Sequence, residues 1–245
     1  MKKLLWMTVI AIVSIGAAEL AYRVAFPSVT LRYRLTLEAE VDGQPRSASS
    51  VREVTYSKQP EIAAQHELSV GYRGEAVVLD LGARGTLFAL LKADTDVRSG
   101  SEWIVLRAFN FPGGSLPRPV EEGIKQVQHL AGTRELPLGS LPMLVGFRDV
   151  NDPKTVERVD PQNLAERFGP GARLVRATLE IVPAGVWPLN ALGVTGTAIT
   201  MGIEKRLPWI RDHYDIMLDG QRYETSAAEL KLANSLASGA FKAGF

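Results

Sequence analysis

The eleven residues Leu31-Arg32-Tyr33-Arg34-Leu35-Thr36-Leu37-Glu38-Ala39-Glu40-Val41 decide the fold. Every odd position is apolar and every even one is polar. A strand turns successive side chains to opposite faces, so this period of two writes one dry side and one wet side. Asp42-Gly43 follows at once, and both residue types accept the positive φ angles of a two-residue hairpin turn. Ser50 to Ser57 then returns with Val54 and Tyr56 on one face, which predicts a long antiparallel hairpin.

The same alternation continues downstream. Leu68, Val70 and Tyr72, a turn at Arg73-Gly74, Ala76 to Leu81, a turn over Gly82 to Gly85, and Thr86 to Leu91 read as a meander. Trp103 to Phe111 and Leu141 to Phe147 are almost continuously apolar, as strands covered on both faces are. Val175, Ala177, Leu179 and Ile181 alternate with polar neighbours, and so do Ile199, Met201 and Ile203. Asp219-Gly220 signals a final hairpin. Two helices stand out. One opens at Pro119 with Glu121 and Glu122 in its first turn and an apolar stripe of Val120, Ile124, Val127 and Ala131. The other has Asp160 as cap, Pro161 in first position, and Gly169-Pro170-Gly171 as its stop.

At the other end, Lys2 and Lys3 precede an apolar run from Leu4 to Ala18 that can be read on to Tyr22, the layout of a bacterial signal sequence or signal anchor. To Tyr22 the run would span roughly 28 Å as a helix, close to the hydrocarbon thickness of a bilayer. Lysines before the run and only Arg23 soon after it orient the remainder outward. The expected architecture is therefore mainly β (all-β or α+β): an antiparallel β-sandwich or twisted sheet with two short helices packed on it, plus an N-terminal hydrophobic anchor helix. Residues 1–22 are expected to be a signal anchor or signal peptide and 23–28 a linker. Residues 29–225 make a β-rich extracytoplasmic domain, and 226–245 a C-terminal tail of loosely helical spacing. The expected location is the inner membrane, single-pass with the C-terminal domain in the periplasm, or the periplasm itself after cleavage near Ala18.

The chain holds 28 basic and 27 acidic side chains, so it lacks the clustered positive excess of a nucleic-acid binder. Having no cysteine, it cannot carry a lipid-modified cysteine, a disulfide framework or a thiolate metal site. His66, His129 and His213 are far apart and lack metal-ligand spacing. Asp149, Asn151, Asp152 and Asp160 form an oxygen-rich stretch, but the sixth and twelfth positions of a calcium loop begun at Asp149 hold Lys154 and Asp160. Capping of local backbone is the better use of these carboxylates. No phosphate loop, nucleophile elbow or cofactor motif occurs, which leaves catalysis open and implies no metal and no cofactor. Lys205, Arg206, Trp209 and Arg211 set three cations around an aromatic, a composition suited to an envelope protein or to lipid headgroups. The leading expectation is a membrane-tethered, non-enzymatic interaction module of the bacterial envelope, held by residues 1–22. The competing one is a periplasmic hydrolase or small-ligand-binding protein that uses scattered carboxylates and arginines.

The alternation of residues 31–41 makes its own prediction. Leu35→Ala should cost about 2–5 kcal/mol in denaturant unfolding, whereas Glu38→Ala should stay within about 0.5 kcal/mol. Equal losses would mean that the two faces are not distinguished.

Overall fold

The computed structural model describes residues 2–60, 67–186, 189–190, 194–223 and 231–244, with the backbone alone at 2–5, 7–13 and 18. In chain order the elements are α1 (Lys2–Ala25), β1 (Ser28–Val41), β2 (Gln44–Lys58), β3 (Leu68–Glu75), β4 (Val77–Asp80), β5 (Thr86–Ala89), α2 (Ile104–Ala108), α3 (Val120–Gln128), β6 (Thr133–Leu136), β7 (Leu144–Phe147), β8 (Val156–Arg158), α4 (Leu164–Phe168), β9 (Ala172–Val182), α5 (Leu232–Ser235) and β10 (Lys242–Ala243). They build a six-stranded sheet ordered β10-β3-β2-β1-β9-β6 and a four-stranded sheet ordered β4-β5-β7-β8. All the pairings are antiparallel.

β1 and β2 form the predicted hairpin. Asp42 and Gly43 hold φ of 51° and 77°, and the register sets Leu31 opposite Val54 and Tyr33 opposite Arg52. Leu35 and Leu37 are fully enclosed, while Glu38 pairs across the wet face with Arg176 of β9 at 2.9 Å. The first core lies against this dry face. It joins Leu31, Leu35 and Leu37 to Leu79 and Leu87 of the second sheet, Ile104 of α2, and Ile124 of α3. The second core lies on the opposite face of the four-stranded sheet, where Phe88, Val145 and Phe147 meet Leu207, Trp209, Leu236 and Phe241 from the C-terminal part of the chain. Phe147 and Trp209 meet at a tilt with 5.8 Å between ring centroids, and Trp209 meets Phe241 edge-on at 5.7 Å.

Several expectations are corrected. The chain does not turn back at Arg73-Gly74: β3 runs on to Glu75 and Val77 opens the second sheet, so this joint is a crossing between sheets. Trp103 to Phe111 contains helix α2, because a short apolar run has no period to separate a buried strand from a buried helix. In β9 the pairing slips between Arg176 and Leu174, a bulge that leaves Val175 45% exposed and moves the inward set to Ala172 and Leu174. Residues 199–202 form no strand. The fourth helix starts at Leu164 with Asn163 as N-cap, and Asp160 instead accepts the N–H of Gln162 at 2.8 Å.

The N-terminal anchor is corrected as well. Among the described residues no helix is long and apolar enough to cross a membrane. The C-terminal turns of α1 carry an exposed ion pair, Glu19 with Arg23 at 2.8 Å, and Tyr22 rests on Phe26 at 5.0 Å just before β1. The end read as the outer limit of a span is thus a charged connection into the sheet. The anchor helix, the inner-membrane partner and the single-pass periplasmic placement go with it.

What joins the two sheets is Arg52, which projects from β2 into the first core and is 1% exposed. Its Nε donates to the Glu75 carbonyl at the crossing (3.1 Å), Nη2 to the Ala89 carbonyl of β5 (2.9 Å), and Nη1 to Ser101 Oγ (3.0 Å). Gly74 lies against it with φ 148°, and a Cβ there would fall 2.9 Å from Arg52 Cγ. Burial lowers the pKa of Arg52, and the Tyr33 phenol beside it acts in the opposite sense. Removing the guanidinium would take a donor from three buried acceptors, of which the Glu75 carbonyl keeps the Ser50 hydroxyl, and each one left unsatisfied costs about 1–3 kcal/mol. Arg52→Met should therefore destabilise by about 3–5 kcal/mol. Arg52→Lys should recover less than half of that, because one ammonium cannot reproduce the planar fork. Chemical denaturation checks both, and full rescue by lysine would show that charge alone matters.

Candidate functional site

After β9 the chain crosses the wet face of the six-stranded sheet as a strap. Arg32 Nη1 donates to the Thr197 carbonyl at 2.7 Å. Thr200 N–H donates to the Val51 carbonyl at 3.0 Å, and Thr200 Oγ1 accepts from Val51 N–H at 2.8 Å. Ile203 N–H then donates to Glu75 Oε2 at 2.8 Å. The strap buries an ion pair that alternation alone would place in water: Arg32 Nε and Glu53 Oε2 are 2.8 Å apart, and these residues are 4% and 8% exposed. Glu75 is 2% exposed, and among the described residues its Oε1 has no hydrogen-bond partner.

Glu75 fixes the start of the 3-10 turn Ile203–Lys205, and that turn delivers Glu204. A second 3-10 turn, Pro208–Arg211, buries Trp209 and Ile210 and swings Arg211 back to Glu204. Both oxygens of Glu204 are engaged. Oε2 accepts from Arg211 Nε at 2.9 Å and also from Nη2, and Oε1 accepts from Lys242 Nζ of β10 at 2.6 Å. These groups line a cleft of about 450 Å³ whose wall includes Tyr72, Ile210, Tyr214 and Asp215. Burial raises the Tyr72 pKa, so its phenol remains a neutral hydrogen-bonding group. The bonds from Arg211 first, and from Lys242 second, hold the Glu204 carboxyl down at about 2.

A second cavity of about 490 Å³ lies between β8 and α4. Its arginines are matched within it, Arg158 to Asp94 at 3.3 Å and Arg167 to Glu157 at 2.8 Å. No aromatic side chain lines it, whereas small-molecule sites are mostly apolar with a few placed polar groups. The cleft at Glu204 fits that description better.

Neither a protein-family model nor a curated protein nor a solved structure matches the chain.

Of the residues singled out in the sequence, Lys205, Arg206 and Arg211 are exposed. Only Arg211 enters the cleft, and Arg206 sits 3.9 Å from Asp80. Trp209 is 7% exposed and donates its indole N–H to the Val150 carbonyl at 2.8 Å, which makes it a core residue. The tethered envelope module loses its attachment with the anchor, and the structure supports the alternative, a hydrolase or small-ligand-binding protein, better. Asp149 and Asp152 accept backbone N–H groups two residues on, at 2.9 and 3.0 Å. Among the described residues no group of three or more histidines or carboxylates could hold a metal ion. His213 Nδ1 lies 3.0 Å from the Trp209 carbonyl, His129 caps α3, and His66 lies outside the described residues. Sequence reasoning missed Tyr72, Tyr214, Asp215 and Lys242, which no local spacing connects.

Glu204 makes a pH prediction. In the native chain it stays ionised down to about 2, while the unfolded chain protonates it near the ordinary value of 4.5. A depressed carboxyl pKa contributes its stability in full above the unfolded value and loses it as the pH falls through the folded one. The gap in urea midpoint between the parent chain and Glu204→Gln should be constant above about pH 5 and should shrink steadily towards pH 3. An unchanged gap at pH 3 would mean that the ion pairs do not act through the Glu204 charge.

Proposed function

We propose that this chain is a small-molecule-binding domain whose ligand site is the cleft at Glu204. The observation that carries this reading is convergence. Residues from β3, from both 3-10 turns and from β10 meet in one concavity, where Arg211 and Lys242 are already aligned on Glu204 beside two tyrosines and Ile210. Prearranged charges save the ordering cost that a flexible site incurs on binding. Tyr72 and Tyr214 supply flat apolar area with a polar tip, the side-chain type that suits contact with small organic molecules.

The test is a fragment screen on the whole chain, read by NMR at the tyrosine rings and by thermal melting. Ligands that bind only the native state must raise the melting temperature. Fragments should perturb Tyr72 and Tyr214 together, and Arg211→Ala should weaken them tenfold or more, about 1.4 kcal/mol. Hits confined to the cavity lined by Asp94 and Arg158 would refute this placement.

A further inference from the structure

The carboxyl of Glu75 is only half used. The residue is 2% exposed, its Oε2 accepts the Ile203 N–H at 2.8 Å, and among the described residues its Oε1 has no hydrogen-bond partner. An interior carboxylate oxygen left without a donor is costly, so a donor able to reach it gains by doing so. The strand register supplies one. Lys242 of β10 lies directly opposite Glu75 of β3. The bond from the Ala76 N–H to the Phe241 carbonyl marks the adjacent pair as the hydrogen-bonded one, so Glu75 and Lys242 form a non-hydrogen-bonded pair, the kind whose side chains stand closest on their shared face.

The Lys242 ammonium instead donates to Glu204 Oε1 at 2.6 Å, and Glu204 is not its only contact. Glu204 follows Ile203, whose N–H the Glu75 carboxylate holds, which brings both carboxylates to the same short stretch of backbone. Water selects between them. On Glu204 the lysine side chain stays 23% exposed and the glutamate 26%, whereas the inner oxygen demands complete dehydration of the ammonium. A ligand donor that engages Glu204 removes the reason to stay outside. We infer that Lys242 is a two-position switch, which holds Glu204 at the cleft wall and turns its flexible four-carbon stem inward to Glu75 Oε1 once Glu204 is taken. The inward position brings the ammonium to the carboxylate that fastens the end of the strap, and so couples the cleft to the strap. That coupling rests on the cleft being the ligand site; the switch itself does not.

Glu204→Gln removes the outer charge without any ligand, which makes the switch testable on the whole chain. Lys242→Met is introduced into two backgrounds, Glu204→Gln alone and Glu204→Gln with Glu75→Gln. Contacts of Lys242 with other groups are lost in both and cancel in the difference. The lysine substitution should lower the melting temperature by at least about 2 °C more where Glu75 is intact. NMR gives a second readout. The Lys242 ammonium signal, assigned by its loss in Lys242→Met, should persist in Glu204→Gln, sheltered from exchange with water, and vanish when Glu75→Gln is added. Equal melting losses in the two backgrounds, or an ammonium signal indifferent to Glu75, would overturn the switch and leave the cleft reading standing, because neither measurement involves a ligand.

Discussion

A single buried guanidinium sets the relation between the two sheets. Arg52 lies on the dry face of β2, a position that alternation gives to apolar side chains, and its fork reaches the carbonyl where β3 becomes β4, a carbonyl of β5, and the loop hydroxyl of Ser101. Taking such a charge out of water is expensive, and the cost is offset only when its donors are matched in geometry. Neutral acceptors do the matching here. Ser50 also donates to the Glu75 carbonyl at 2.7 Å, and Tyr33 donates to the Ser101 carbonyl at 2.8 Å, so the acceptors are themselves held in place. Gly74 follows from the same demand, since any side chain there would occupy the space of the arginine stem.

The crossing fixed by Arg52 also places the cleft. Glu75 presents its carbonyl to Arg52 and its carboxylate to Ile203, so one residue connects the sheet junction to the turn that carries Glu204. The next residue, Ala76, donates its N–H to the Phe241 carbonyl at 2.8 Å, and Lys242 pairs with Glu75 across β10 and β3. Glu204 and Lys242 thus stand next to backbone groups hydrogen-bonded to the structural junction.

Much of the sheet was legible because its signal is local. Residues 31–41, the Asp42-Gly43 turn and the return through Val54 and Tyr56 needed only alternation and turn chemistry, and the hairpin forms as written. The signal failed where a distant segment changes the environment. Arg32 and Glu53 obey the wet-face pattern yet are buried by a strap more than a hundred residues later in the chain. Val175 breaks phase through a bulge, and Trp103 to Phe111 has no period to reveal a helix. Of the site, only Arg211 was singled out, as one cation in a basic run. Its partners arrive from β3 and β10 through topology, and Trp209, chosen with it as a contact residue, is held by Phe147 and Phe241.

The strand order has a bearing on synthesis. β1 and β2 are neighbours in sequence and can pair as soon as they emerge, but β3 gains its outer neighbour only when β10 arrives, and β1 gains its own only with β9. Until then the face of the second sheet bearing Phe88, Val145 and Phe147 lacks the cover that Leu207, Trp209 and Phe241 later provide. A growing chain must therefore carry a greasy, half-covered sheet from the completion of β7 until the C-terminal segments arrive. Early termination a few residues short of Phe241 would leave both the second core and the cleft open, a form suited to capture by chaperones or to aggregation.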